Sequence, residues 1–150
     1  MKPTVKAGLA ALAAMLVLAL PTVASAATSH SIHVTGKVAV VTVSGTRNTA
    51  VGLFSGSPFG ANTVAVIRTK VVGSQFRSTL LVINASGTIT GTSVQTTSAG
   101  PNGSTLFKGS GKVTGGTRKY AGATGKISFS GTEPKDATVV SYTVTGTIKY

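Results

Sequence analysis

The chain has 150 residues, enough for one domain, and carries 14 lysines and arginines against 2 acidic residues, a formal net charge of +12. It contains no cysteine, which excludes disulfide bonds, thiolate metal sites and cysteine nucleophiles. Glu133 and Asp136 are its only acidic side chains, so a reaction that needs several carboxylates is not expected.

Residues 1–26 have the pattern of a cleaved export signal. Lys2 and Lys6 form a positively charged N-terminal region, and an unbroken apolar run follows at 7–20. Ala24-Ser25-Ala26 matches a small-residue cleavage site. The apolar run is shorter than the ~20 residues that a membrane-spanning helix requires. We therefore predict cleavage after Ala26, a single domain at 27–150, a secreted or extracytoplasmic location, and no transmembrane anchor after cleavage.

The first apolar segment of this domain, Ser31 to Ser44, changes phase along its length. Apolar residues occupy even positions as far as Val40, whereas Val41 and Val43 are odd. The switch indicates either a β-bulge near Val40 and Val41 or a stretch buried on both sides. Farther along, 63–72 and 76–83 are more continuously apolar, which is typical of strands covered on both faces.

The C-terminal third alternates most regularly. One predicted inward face comprises Val140, Tyr142, Val144, Gly146, Ile148 and Tyr150. Serine, threonine and lysine occupy the positions between them. The same period-two pattern places Phe107 and Val113 on one side of an earlier segment, and Ile127 and Phe129 on one side of the next. These segments are predicted strands with one dry face and one wet, cationic face.

Turns divide the domain into roughly eight strands. Pro58, Pro101 and Pro134 each lie among turn-forming residues and mark loops, because proline cannot donate to a strand ladder. Short strands without intervening helices indicate an antiparallel barrel or a β-sandwich. Inward glycines such as Gly146 allow strong curvature, so we favour a single closed antiparallel barrel, with the sandwich as the alternative.

Residues 107–125, followed by Phe129 and Gly131, resemble a signature of the allene oxide cyclase and dirigent-like barrel group. The signature loop consists of Gly115, Gly116, Thr117, Tyr120, Gly122 and Gly125. The resemblance implies an eight-stranded antiparallel barrel with a small apolar cavity. Members of that group isomerise lipid-like or phenolic molecules, guide their coupling, or have no assigned activity. Arg118 stands where the pattern usually has glycine, which costs about 1 kcal/mol if that position requires positive φ.

No catalytic residue can be assigned from the sequence. Dirigent-type sites place acidic side chains inside the barrel, whereas Glu133 and Asp136 flank Pro134 in a predicted turn and are expected in solvent. His30 and His33 point to opposite faces of a strand, so they form a poor metal pair. We predict no metal and no cofactor.

The basic side chains predict a cationic outer surface, formed by Arg68, Lys70, Lys108, Lys112, Arg118, Lys119 and Lys126. Such a surface attracts an anionic polysaccharide or envelope polymer by a salt-sensitive field. Alternatively, the charge only keeps the barrel soluble and protects its edges. Specific nucleic-acid binding is not expected, because stacking aromatic residues are few.

Three functions follow from these features. The leading hypothesis is a barrel that binds a small hydrophobic ligand in a cavity, whose predicted lining is Phe107, Phe129, Val140, Tyr142 and Val144. The first alternative is an isomerase or cyclase that acts on a lipid-like or phenolic substrate in the same cavity, through Tyr142 or a buried arginine. The second alternative is a non-enzymatic basic surface protein that binds anionic envelope polymers.

Overall fold

A computed structural model describes residues 26–150; the preceding residues of the predicted export signal lie outside this range. The described part is built almost entirely of β-strands. The strands are β1 (Ser29–Ser44), β2 (Arg47–Ser57), β3 (Gly60–Val72), β4 (Gln75–Asn84), β5 (Gly87–Ala99), β6 (Thr105–Gly116), β7 (Thr124–Glu133) and β8 (Val139–Lys149). Short 3₁₀ turns occur at Pro101–Gly103 and Arg118–Tyr120. Within 26–150, no helix has the length and apolar character needed to cross a membrane.

The eight strands form one closed antiparallel barrel. Each strand pairs with the next, and β8 pairs with β1, for example at His33 and Thr145. The predicted barrel is therefore confirmed, and the sandwich alternative is wrong. Period-two alternation explains the closure, because each strand presents one row of side chains to a common interior and the other row to water.

The phase change in the first segment is a β-bulge. The register between β1 and β2 shifts between Val40 and Thr42, leaving Val41 without a partner in the ladder. Val41 and Val43 are then exposed, at 57% and 74% of their full accessible area. The bulge reading is confirmed, and the reading of a stretch buried on both sides is wrong.

The two ends of the barrel differ. We call the end that carries the β2–β3, β4–β5 and β6–β7 connections the floor, and the other end the mouth. At the floor, Ile32, Ile89, Tyr120 and Ile148 are almost completely buried. At the mouth, Val40 is 47% exposed. The packed core of the barrel therefore lies toward the floor.

The outer faces of β3 and β4 differ from the expectation. Their continuous apolar runs indicated strands covered on both sides, but Val64, Val66 and Leu81 are only partly buried, and Ile83 is 38% exposed. Nothing in the described part of the chain packs over this outer face, because all neighbouring strands lie in the same wall. An apolar run shows that a position tolerates burial but not that a second layer covers it.

Candidate functional site

The barrel encloses a cavity of about 440 Å³ that is open toward the mouth. All five residues predicted to line it do so, namely Phe107, Phe129, Val140, Tyr142 and Val144. They come from β6, β7 and β8, where the alternation in the sequence is most regular. The opposite wall, from β1 to β4, adds further apolar side chains, among them Val38, Ala65 and Leu80. The walls of the cavity are thus mainly hydrocarbon.

Tyr142 is the most distinctive polar group in the cavity. Its ring packs against those of Phe107 and Phe129, with centroid distances of 5.9 and 6.0 Å. Its hydroxyl donates a 3.4 Å hydrogen bond to Oε1 of Gln95. Burial raises the pKa of Tyr142 to about 12, and the negative charge of Glu133 adds to the rise. The phenol is therefore protonated at neutral pH and acts as a hydrogen-bond donor.

A glycine on the neighbouring strand leaves the space that the Tyr142 ring occupies. Gly131 of β7 pairs directly with Tyr142 of β8. A methyl group at Gly131 would lie 2.6 Å from the Tyr142 ring, far inside van der Waals contact. Phe129 lies in the same way across Gly109 of β6. The inward glycines thus do more than permit curvature, since they make room for the aromatic rings that face the ligand space.

Glu133 does not lie in solvent as predicted. It is the last residue of β7, partly buried, and it lines the mouth of the cavity. Its position follows the alternation that turns Phe129 and Gly131 inward. The neighbouring Pro134 suggested that the turn begins one residue earlier than it does. Asp136, by contrast, is exposed in the β7–β8 turn as predicted.

Short hydroxyl side chains also occupy the interior. Thr63, Thr69, Ser78 and Ser93 are all buried. The hydroxyls of Thr69 and Ser78, on the paired strands β3 and β4, form a 2.8 Å hydrogen bond with each other. The period-two pattern predicts threonine and serine on the wet face, so this cluster was not expected from the sequence. Extending the alternation from Ala65 and Ile67 would have found Thr69.

The signature loop forms the floor of the barrel. Tyr120 is 1% exposed, and its hydroxyl accepts a 2.9 Å hydrogen bond from Nδ2 of Asn84. Its ring meets Phe59 and Tyr150 edge to face, with centroid distances of 6.0 and 4.9 Å. The chain reaches this position through Arg118, whose φ is +53°. Tyr120 therefore packs the floor, and the loop contributes to the site by closing one end of the barrel.

Of the remaining candidates from the sequence, Lys112 also borders the cavity and the others lie outside it. His30 stacks on Tyr150 at 4.4 Å, and His33 is exposed on the outer wall. Among residues 26–150, no group of three histidine, cysteine or acidic side chains is placed to hold a metal ion. The basic residues predicted on the surface are all exposed. Lys112 and Lys126 face each other directly across β6 and β7.

Comparison with known proteins gives no relative: no family model, no curated protein and no solved structure matches this chain. The resemblance to the allene oxide cyclase and dirigent-like group stays a prediction.

Proposed function

We propose that this protein binds a small apolar molecule inside the barrel. The observation that carries the proposal is the cavity of about 440 Å³, walled by hydrocarbon and open at one end. This volume lies within the ~300–1,000 Å³ of typical small-molecule sites. A barrel that served only as a scaffold would gain stability by filling this space with larger side chains.

The polar groups in the cavity narrow the class of ligand. The neutral phenol of Tyr142 has one proton, which it donates to Gln95 in a long 3.4 Å hydrogen bond, and a ligand oxygen can replace Gln95 as the acceptor. Glu133 at the mouth disfavours a carboxylate or phosphate there. The aromatic rings of Phe107 and Phe129 offer flat apolar surfaces. The expected ligand is a neutral hydrocarbon or phenolic molecule with one oxygen acceptor, in agreement with the class that the family resemblance implies.

If the protein is an isomerase or cyclase, the raised pKa of Tyr142 limits the chemical role of its hydroxyl. Because the pKa of Tyr142 is about 12, its hydroxyl can donate a proton or a hydrogen bond at neutral pH but cannot serve as a base. Such an enzyme would use Tyr142 as the acid that polarises a carbonyl or epoxide oxygen. Its turnover would fall in Tyr142→Phe.

Titration with a hydrophobic fluorescent probe tests the ligand-binding proposal. Ala65→Leu places a larger side chain on the inner wall and should weaken probe binding at least tenfold. Ala39→Leu makes the same change on the outer wall of β1 and is the matched control, since Ala39 lies in a groove outside the barrel. Saturable binding that Ala65→Leu leaves unchanged would place the probe elsewhere and contradict the proposal.

A second candidate function, binding of an anionic polymer, is favoured by one observation. Lys112 and Lys126 are direct cross-strand neighbours, and two like charges in that position destabilise a sheet unless an anion lies between them. Retention on an anionic polysaccharide that falls steeply with salt, and falls further in Lys112→Gln, would support this candidate. Retention that salt does not change would rule it out.

A further inference from the structure

One side of the mouth combines exposed apolar side chains with basic ones. We define the basic lip as residues 40–47 and 70–77, the tips of the β1–β2 and β3–β4 hairpins. A 2.8 Å hydrogen bond from the Val71 amide to the Thr46 carbonyl joins the two tips. The lip is therefore one continuous surface feature rather than two separate loops.

The basic lip exposes several valines. Val43 is the most exposed of the large apolar residues in the described part of the chain, at 74%, followed on the lip by Val41 at 57%, Val40 at 47% and Val72 at 43%. Burying such side chains is worth about 25 cal/mol for each Å² of apolar surface removed from water. Val40 also lines the cavity, so the exposed apolar surface continues into the ligand space.

Three cations accompany these valines. Arg47 pairs with Lys70 across β2 and β3, and Lys70 pairs with Arg77 across β3 and β4. All three are exposed, and the basic lip contains no acidic residue. Both acidic residues of the chain, Glu133 and Asp136, lie outside the basic lip, around the β7–β8 turn. At the mouth, the exposed valines and the acidic residues are thus on different hairpins.

From this arrangement we infer that the basic lip docks on a bilayer that contains anionic lipids, so that an apolar ligand can pass between the bilayer and the cavity. Exposed valines flanked by three cations match the boundary between acyl chains and anionic headgroups. The inference rests on the proposed function, because it names the source of the ligand.

A second copy of this chain fits the basic lip less well. It would offer Asp136 as its exposed carboxylate against three cations, since Glu133 is partly buried in the cavity mouth. A lipid surface needs neither a complementary shape nor a large rigid contact.

Co-sedimentation with vesicles tests the inference. The chain is recovered from an exporting host, and its first residue is determined by mass spectrometry; Ala27 is expected. We expect binding to vesicles of phosphatidylcholine with 30% phosphatidylglycerol that is at least tenfold tighter than to phosphatidylcholine alone. High salt should remove most of that difference.

Matched variants locate the contact. The triple variant Arg47→Gln, Lys70→Gln and Arg77→Gln should weaken vesicle binding at least tenfold. The control triple variant Lys37→Gln, Lys108→Gln and Lys149→Gln removes the same charge from the outer wall of β1, β6 and β8 and should have less than a threefold effect. Val43→Ser should weaken binding about fivefold, whereas Leu53→Ser, 63% exposed on the wall of β2, should not.

Each contrary result has a distinct meaning. Equal losses in the two triple variants, or a larger loss in Leu53→Ser than in Val43→Ser, would overturn docking through the basic lip. A dimer in sedimentation that Val43→Ser dissociates would overturn it in favour of a second copy. Probe binding in the cavity is measured on the same samples. Probe binding without vesicle binding overturns this inference and leaves the proposed function intact. Vesicle binding without probe binding overturns the proposed function, and with it the passage of a ligand, but leaves the docking of the basic lip.

Discussion

The floor and the mouth of the barrel are ends of the same eight strands, yet they are built for different tasks. At the floor, Ile148 is fully buried and Tyr120 is 1% exposed, and the Tyr120 hydroxyl is paired with Asn84. At the mouth, Val40 remains 47% exposed, and Tyr142 faces an open cavity. The buried contacts that stabilise the fold are therefore concentrated at the floor. The mouth can for this reason keep unfilled space and exposed apolar surface.

The largest expected effect separates the two ends by removing one tyrosine from each. Tyr120→Ala should lower the free energy of unfolding by about 3–5 kcal/mol, because it leaves a cavity among packed rings and leaves the Asn84 amide with only its longer, 3.5 Å hydrogen bond to the Phe59 carbonyl. Tyr142→Ala should cost only about 1–2 kcal/mol, because its ring already borders open space, and should instead change probe affinity. Urea unfolding measures both values, and equal losses would mean that the floor is not the stable end.

A smaller effect is expected at Arg118, which enters the floor with φ of +53°. Replacement by glycine relieves about 1 kcal/mol of backbone strain but increases the entropy of the unfolded chain. Arg118→Gly should therefore stabilise the protein slightly, by up to about 0.5 kcal/mol.

Lys119→Gly is the control for Arg118, since Lys119 does not have positive φ. It should lower the free energy of unfolding by roughly 0.5–1 kcal/mol. Thermal unfolding compares the two variants, and a destabilised Arg118→Gly would show that the arginine side chain contributes more than its backbone costs.

The smallest expected effect is a change in the titration of Tyr142 at the mouth, which is followed by absorbance. Because the pKa of Tyr142 is about 12 in the folded protein and 10.0 for a free tyrosine, the folded state keeps a proton that the unfolded state loses between those pH values. The contribution of Tyr142 to stability is complete below pH 10 and declines as the pH rises toward 12. Tyrosinate absorbance of the folded protein should include one late transition that Tyr142→Phe lacks; identical titrations would place Tyr142 in water.

The sequence predicts the inner wall of the barrel best where strands have one polar face. In β8, serine, threonine and lysine alternate with inward residues, and the side chains from Val140 to Ile148 lie as expected. In β3 and β4 both faces carry apolar residues, so the pattern could not tell a covered face from the uncovered outer one, where Val64 is partly buried and Ile83 is 38% exposed. Alternation reports which side chains share a face, but exposure depends on what the rest of the fold places over that face.

The candidate site was predicted only in its apolar part. The five predicted cavity residues line the cavity, but Glu133 and the Thr69–Ser78 pair were missed. Each of these polar residues lies inward because of its register, although its chemistry is typical of a turn or an outer face. Glu133 shows the difficulty most clearly, since a shift of one residue in the end of β7 decides whether the carboxylate meets water or Tyr142.

The pairing of β8 with β1 has a consequence for how the barrel forms. Without this pairing, the eight strands are an open sheet whose two edges, β1 and β8, present unpaired amides and carbonyls to any other chain. Both edges disappear in one step, and that step joins segments from opposite ends of the domain, so it is among the slowest contacts to form. Folding intermediates with an open sheet are therefore prone to aggregate until β8 pairs with β1. A truncation within β8 should destabilise the protein far more than the small number of deleted residues suggests.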